Sequence, residues 1–178
     1  MSGEIPENLF TNCAEVTDFE ATFFDCSGLV GQIPENLFAN CTKVSDFGNV
    51  FRNCKNLEGS IPENLFKNCP EVSTVGGAFF GCSGLIGQIS ENLFKDCTKI
   101  TGARETFLGC TNLTGEIPEN LFKNNAAITN FYGTFSGCNG LTGNAPSLWE
   151  RQNVTTATFC FRNCTNLLNY NDIPTGWK

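Results

Sequence analysis

Residues 31–58 read GQIPENLFANCTKVSDFGNVFRNCKNLE, and residues 59–86 read GSIPENLFKNCPEVSTVGGAFFGCSGLI. The same 28-residue pattern begins at Gly3 and runs through five copies to Thr142 without an insertion or deletion. A sixth copy starts at Gly143 and has lost two residues before Val154. Repeats of one fixed length are typical of a solenoid, in which each copy forms one coil and buries its apolar face against its neighbours.

The repeats predict a single solenoid domain over 1–178, with six coils of 28 residues. Five regular repeats fill 3–142, and 143–178 is expected to hold a degenerate sixth repeat and a C-terminal cap. Short parallel strands are expected near residues 16–18 and 29–33 of the first coil, and at the equivalent positions of the others. The segment IPENLF predicts a helical or 3-10 turn, because proline suits the first position of a helix.

Each copy contains the half-motif F-x-x-C-x-x-(V/L) twice. The two phenylalanines recur at the repeat spacing, so they predict two stacked rows of rings in the core, closed by Trp149 and Phe161. Burying one such ring is worth roughly 1.5–3 kcal/mol relative to exposing it. The first phenylalanine ladder is Phe10, Phe38, Phe66, Phe94 and Phe122, and the second is Phe23, Phe51, Phe79, Phe107 and Phe135.

Ten of the eleven cysteines also fall into two columns, and Cys160 lies outside both. In the fifth copy the first column has Asn125 in place of cysteine. Asparagine cannot replace a disulfide partner, but like a thiol it can donate to a backbone carbonyl. We therefore predict free, structural thiols, although stacked cysteines would also lie within disulfide range. The columns are Cys13, Cys41, Cys69 and Cys97, and Cys26, Cys54, Cys82, Cys110, Cys138 and Cys164.

Composition argues against several functions. The net charge is −7 and Lys and Arg are scattered singly, which disfavours nucleic acid as a partner. No apolar run is long enough to insert into a membrane. The chain has no histidine, so neither a Ser-His or Cys-His pair nor a His-based metal site can form, and we expect no enzyme activity and no cofactor. The repeated glutamate that begins at Glu7 is expected to favour the start of a helical turn rather than to bind a cation.

One column suggests a contact patch for a partner. It follows the second phenylalanine ladder, and because it contains Arg and Ser it must reach solvent. Aromatic and Arg residues together are typical of protein-binding hot spots. The alternative is that these rings fold over the neighbouring coil and widen the core, in which case a strand-side column would be the binding patch. The first column contains Phe24, Arg52, Phe80 and Leu108, followed by Ser136 and Arg162; the second contains Gln32, Ser60, Gln88 and Glu116.

The two ends of the array differ. The chain ends in the polar sequence NYNDIPTGWK, which predicts a cap, whereas MSG leads straight into the first repeat. The first coil is therefore expected to be uncapped, and to offer an edge for self-association or for another chain. Copies one and three share CSGL, and copies two and four share an Asn-Leu pair, which indicates growth by duplication of a 56-residue pair.

The run Ala78-Phe79-Phe80-Gly81-Cys82-Ser83-Gly84-Leu85, with its Ile-Pro segments, resembles the BspA-like leucine-rich repeats of bacterial surface proteins. The resemblance extends from Gly3 to about Leu167. It implies a leucine-rich-repeat-like fold, adhesion or protein binding, and a cell-surface or extracellular location. No catalytic residues follow from it.

The leading hypothesis is thus a non-enzymatic binding or adhesion module that presents a rigid surface to a protein or glycan. The alternative is a structural component of an assembly, such as a virion fibre or tail protein. Free cysteines and the lack of a signal peptide ahead of the first repeat favour that alternative, because both suit assembly in a cytoplasm.

Overall fold

The computed structural model describes all residues from 1 to 178. Its regular elements are very short, because each coil pairs with the next through only a few residues at a time. The strands form three separate parallel pairs: β1 with β2, β3 with β4, and β5 with β6. Their bounds are β1 Ser2–Gly3, β2 Gly28–Leu29, β3 Gly31–Gln32, β4 Leu57–Glu58, β5 Gly115–Glu116 and β6 Leu141–Thr142. Three 3-10 helices follow, at Leu148–Glu150, Tyr170–Asp172 and Thr175–Trp177.

A second line of pairing crosses the whole array. Parallel bridges join Asp18 to Asp46 and continue at the repeat spacing through Thr74, Gly102 and Asn130 to Thr156. The chain is therefore a leucine-rich-repeat-like solenoid, as predicted. The strand expected at residues 16–18 is reduced to this single bridge per coil.

Alternate residues of the segment after the bridge bond to different partners. The N–H groups of Phe19, Ala21 and Phe23 donate to carbonyls of the second coil, at 2.8–2.9 Å. The N–H groups of Thr22 and Phe24 instead donate three residues back within their own coil. This alternation joins neighbouring coils at every second residue although the backbone between them turns.

The IPENLF segment does not form a regular helix. In the second coil the N–H of Leu37 donates to the Pro34 carbonyl at 3.2 Å, and the N–H of Cys41 donates to the Phe38 carbonyl at 2.9 Å. These are bonds between residues three apart, which define successive tight turns. The predicted helical turn is thus present only as this series of turns.

Both phenylalanine ladders lie in the core. Successive rings of the second ladder stack with centroids 5.3–5.8 Å apart. A third aromatic column, which was not predicted from the sequence, contains Phe19, Phe47 and Phe131, and the ring of Phe47 lies 4.6 Å from that of Phe38. At the C-terminal end Trp149 and Phe161 close the core as expected, and Trp177 packs against both.

Eight of the eleven cysteine thiols donate to a backbone carbonyl, as predicted, and in each case the carbonyl belongs to the preceding coil. In the second column the thiol of Cys82 donates to the Phe51 carbonyl at 2.9 Å, and the other four members behind Cys26 make equivalent bonds at 2.9–3.0 Å. In the first column the Asn125 amide donates to the Phe94 carbonyl at 3.2 Å, in the place of a thiol. All eleven cysteines are free thiols.

A second polar column distinguishes odd coils from even ones. Asn56, Asn112 and Asn166 donate to carbonyls of the preceding coil at 2.6–2.8 Å. The coil after each of the first two asparagines has a glycine in the same column. A Cβ on Gly84 would lie 2.7 Å from the Lys55 carbonyl oxygen, so only glycine fits there. The two-copy pattern of the sequence thus has a structural basis.

Several residues other than glycine adopt left-handed backbone conformations. One column of such positions contains Ala21, with φ 56°, and Gly77, with φ 65°. The left-handed region costs an L-residue with a Cβ roughly 1–2 kcal/mol. Replacement with glycine removes this conformational cost. Part of the gain in stability is lost, because glycine also gives the unfolded chain more conformational freedom.

We expect Ala21→Gly to stabilise the protein by about 0.5–1 kcal/mol, measured by urea unfolding. The matched reverse change, Gly77→Ala, should destabilise it by more than about 1 kcal/mol, because the new Cβ would clash with the Asn49 side-chain oxygen. A loss of stability in Ala21→Gly would contradict the strain argument.

Candidate interaction surface

A concave groove follows the bridge positions across the middle coils. It has a volume of about 500 Å³, and no hydrophobic residue lines it. The charged side chains of both signs in its wall are Glu20, Asp46, Arg52, Arg104 and Glu105. We call this feature the polar groove. A groove with mixed charges suits a ligand that has both donors and acceptors.

Arg52 joins the polar groove to the predicted aromatic column. Its guanidinium carbon lies 3.6 Å from the centre of the Phe80 ring, which is a close cation–π contact. The Nη1 atom donates to the Asn49 side-chain oxygen at 3.2 Å and lies 3.5 Å from Oε2 of Glu105. The side chain is therefore held from three sides and presents a fixed cation at the groove.

Two further arginine–aromatic pairs continue along the array. The Arg104 guanidinium lies 5.2 Å from the Tyr132 ring, and that of Arg162 lies 4.8 Å from the Phe159 ring. The rings of Tyr132 and Phe159 meet edge to face, with centroids 5.9 Å apart. Together with Arg52 and Phe80, these residues form what we call the arginine–aromatic surface.

The residues of the first predicted patch reach solvent to different degrees. Phe24 is 44% exposed, whereas Arg52, Phe80 and Leu108 are half-buried. The rings therefore are not part of the closed core. Of these four residues only Arg52 lines the polar groove.

The second predicted patch lies elsewhere on the solenoid. Its members Gln32, Ser60, Gln88 and Glu116 are all exposed. Gln32 and Ser60 line a separate groove that contains five glutamates. The structure thus does not bring the two candidate patches to one site. The glutamates of that second groove are Glu4, Glu7, Glu35, Glu58 and Glu63.

Three residues of this surface, Arg104, Tyr132 and Phe159, were not predicted from the sequence because they belong to columns without a consensus. A usable signal was present, since Tyr132 follows Arg104 by one repeat, as Phe80 follows Arg52. An arginine followed 28 residues later by an aromatic residue is a pattern that places the two side chains on adjacent coils.

The columns on this side of the solenoid differ between copies. The column that begins at Glu20 continues as Gly48, Gly76, Arg104 and Tyr132. By contrast, ENLF is identical in all five regular copies, although its Glu and Asn are largely exposed. Buried columns vary between copies as well, since the column of Phe47 continues in the core as Val75 and Ala103.

No cluster of three or more potential metal-ligating side chains is present. No helix of the structure is long and apolar enough to cross a membrane.

Comparison with solved structures finds leucine-rich-repeat proteins at low identity. The PEPR1–AtPEP1 complex is 20% identical over 88% of this chain and 26% of that one, with a TM-score of 0.39. The plant peptide hormone receptor RGFR1 in complex with RGF2 is 21% identical over 87% of this chain and 33% of that one, with a TM-score of 0.26. The T. pallidum Leucine Rich Repeat protein is 18% identical over 92% and 78% of the two chains, with a TM-score of 0.30. This chain thus spans a third or less of PEPR1 and RGFR1.

No curated protein matches the sequence. A family model described as a Mycoplasma protein of unknown function, DUF285, matches residues 74–177. That match covers more than half of the 178 residues and includes the arginine–aromatic surface from Phe80 onward. The chain therefore belongs to the DUF285 family.

Proposed function

We propose that this chain is a non-enzymatic binding module that holds a segment of a partner protein on the arginine–aromatic surface and the adjoining polar groove. The observation that carries the proposal is the arrangement of Arg52 between the Phe80 ring and the Glu105 carboxylate. Such an arginine is already ordered before binding, so less side-chain entropy is lost when a ligand docks.

Chemistry favours a peptide as the ligand. Half-buried aromatic rings and ordered arginines supply contact area, and the carboxylates and arginines of the polar groove can pair with charges of either sign. Among the leucine-rich-repeat proteins compared above, RGFR1 is itself a peptide hormone receptor, so its ligand is of the same class. The BspA-like resemblance supports a cell-surface or extracellular location and a role in adhesion.

We expect Phe24→Ser combined with Phe80→Ser to abolish binding with little loss of stability, because both rings lie outside the closed core. Hot-spot residues cost about 2 kcal/mol or more on truncation, which corresponds to a loss of affinity of about 30-fold or more. The probe is a random peptide library displayed on phage and selected on the wild-type chain. Selected peptides are then titrated against each variant.

The matched control is Gln32→Ser with Gln88→Ser on the second patch, which should bind selected peptides like the wild type. Peptides that bind the phenylalanine variant normally but fail on the glutamine variant would move the site to the second patch. A library that yields no binder, together with binding on a glycan array, would contradict a peptide ligand. A fall in unfolding free energy above about 2 kcal/mol in the phenylalanine variant would show that its rings are structural.

A further inference from the structure

The first coil ends in an edge that the rest of the array leaves unpaired. The carbonyls of Asp18, Glu20, Thr22 and Phe24 accept no hydrogen bond from the chain. In the second coil the equivalent carbonyls all accept one from the first coil. The N–H of Thr17 is unpaired as well, whereas that of its equivalent, Ser45, donates to the Thr17 carbonyl at 2.8 Å.

Apolar side chains at the same edge are uncovered. Leu9 is 40% exposed, whereas its equivalents Leu37, Leu65, Leu93 and Leu121 are 1–2% exposed. Phe10 and Cys13 are half-buried, although the equivalents of Phe10 are fully or almost fully buried. This edge therefore lacks the coil that would cover each of the others.

The last coil presents the complementary groups. The N–H groups of Ala157, Phe159 and Asn163 donate to nothing in the chain, and the Thr155 carbonyl accepts nothing. These are the positions that pair between the internal coils, with the Val75 N–H as the one exception. One donor of the set is satisfied, because the Phe161 N–H donates to the Trp177 carbonyl at 2.8 Å.

Charge also differs between the two ends. The first coil carries six acidic side chains and no Lys or Arg, whereas 143–178 has three basic and two acidic residues. Pairing of two first coils would therefore set carbonyl against carbonyl and anion against anion. Pairing of a first coil with a last coil satisfies both sets of groups. The acidic residues are Glu4, Glu7, Glu15, Asp18, Glu20 and Asp25.

The C-terminal tail occupies the position that a further coil would take. Trp177 covers the Phe161 ring with centroids 6.3 Å apart, and its carbonyl replaces one acceptor of a seventh coil. The Lys178 ammonium holds the tail in place, because it donates to the carbonyls of Tyr170 and Asn171 at 3.0 and 2.9 Å.

We propose that the open edge of the first coil docks the last coil of a second copy in a head-to-tail stack, and that the tail at 170–178 blocks this stack by occupying the docking position. Because a head-to-tail contact leaves both outer ends free, release of the tail allows open-ended growth. The tail thus sets whether the chain stays single or assembles.

The test is sedimentation velocity on the chain of residues 1–178, from about 5 to about 500 μM, at low and high salt. Lys178→Ala and Trp177→Ala both loosen the tail, and the first does so without removing a ring from the core. We expect association at least about tenfold tighter than in the wild type, weakened by salt because the first coil carries six carboxylates and the last coil keeps Arg151 and Arg162.

A second substitution in the Lys178→Ala background tests whether the association can be reversed at the open edge of the first coil. Leu9→Lys places a charge on the open edge and should restore the single chain. Ile86→Lys makes the same change at a 52% exposed residue in the middle of the array and should leave association unaltered. The proposal is overturned if both tail variants stay monomeric while their circular dichroism is unchanged, or if Leu9→Lys has no more effect than Ile86→Lys.

Discussion

Raising the pH above about 9 should unfold this solenoid steeply, because its core contains many thiols that cannot ionise in place. Burial raises the pKa of Cys41 from 9.0 to about 11, and that of Cys54, Cys69, Cys97 and Cys164 to about 12. Burial likewise raises the pKa of Cys82, Cys110, Cys138 and Cys160 well above 9.0.

The direction of the pH effect follows from the number of protons that the folded and unfolded states bind. In the unfolded chain the thiols lose protons near pH 9, whereas in the folded chain they keep them until pH 11 or above. The unfolded state therefore binds fewer protons, and stability is complete below pH 9 and falls as the pH approaches 11–12. Each thiol removes about 1.4 kcal/mol per pH unit. Four acting together remove about 5–6 kcal/mol per unit, which rivals the whole stability of a typical domain.

Circular dichroism between about pH 7 and pH 12 measures the transition. The control is the triple variant Cys82→Ser, Cys110→Ser and Cys138→Ser, whose hydroxyls can donate to the same carbonyls without ionising in this range. Its stability should fall less steeply with pH, by about 4 kcal/mol per unit. An equally steep fall would assign the effect to groups other than the thiols.

Before the pH titration, alkylation of the denatured, unreduced wild type should show that all eleven thiols are free.

Removing one ring from the first phenylalanine ladder should have the second large effect. Phe66 stacks between Phe38 and Phe94 at 6.1 and 5.9 Å and also contacts Phe47 at 4.7 Å and Phe79 at 6.2 Å. We expect Phe66→Ala to cost about 3–5 kcal/mol in unfolding free energy, through lost burial and the cavity that remains. Each coil packs against its neighbours, and the Arg52–Glu105 ion pair is a polar contact that spans the third coil, so the loss of core packing should also uncouple the first two coils from the last three.

Urea unfolding followed by circular dichroism and by the fluorescence of Trp149 and Trp177 tests both effects. Both tryptophans lie in the C-terminal region, so uncoupling should separate the two transitions. Phe66→Leu keeps most of the volume and should cost less than about 1.5 kcal/mol with coincident transitions. A cost of under about 1 kcal/mol for Phe66→Ala would show that the ladder does not dominate stability.

The coil architecture could be predicted because identical residues recur at identical spacing. The hydrogen-bonding role of the cysteines could be predicted from Asn125, which interrupts their first column and whose amide takes the place of a thiol. The third aromatic column was missed because Val75, Ala103 and Ala157 interrupt its phenylalanines, so no repeated letter marks it. Cys160 fell outside the predicted columns for a similar reason, since its column otherwise contains Thr22, Val50, Ala78, Thr106 and Thr134.

Local conformation was harder to predict than the columns. IPENLF has the proline and glutamate of a helix start, but the bonds between residues three apart never extend into a helix. The polar groove could not be predicted from the sequence, because it depends on which unlike side chains adjacent coils bring together. The sequence left open whether the rings of Phe24 and Phe80 are exposed or fold over the neighbouring coil; Phe24 is 44% exposed, whereas Phe80 is half-buried against Arg52.

The alternation of asparagine and glycine has a consequence for how this gene can change. An asparagine placed directly after Asn56 would bring its Cβ against the Lys55 carbonyl, at the point where Gly84 now fits. Unequal recombination that sets one asparagine coil directly after another creates that clash, whereas addition or loss of two coils preserves the alternation. The rod can therefore lengthen or shorten in steps of 56 residues while its two ends stay the same.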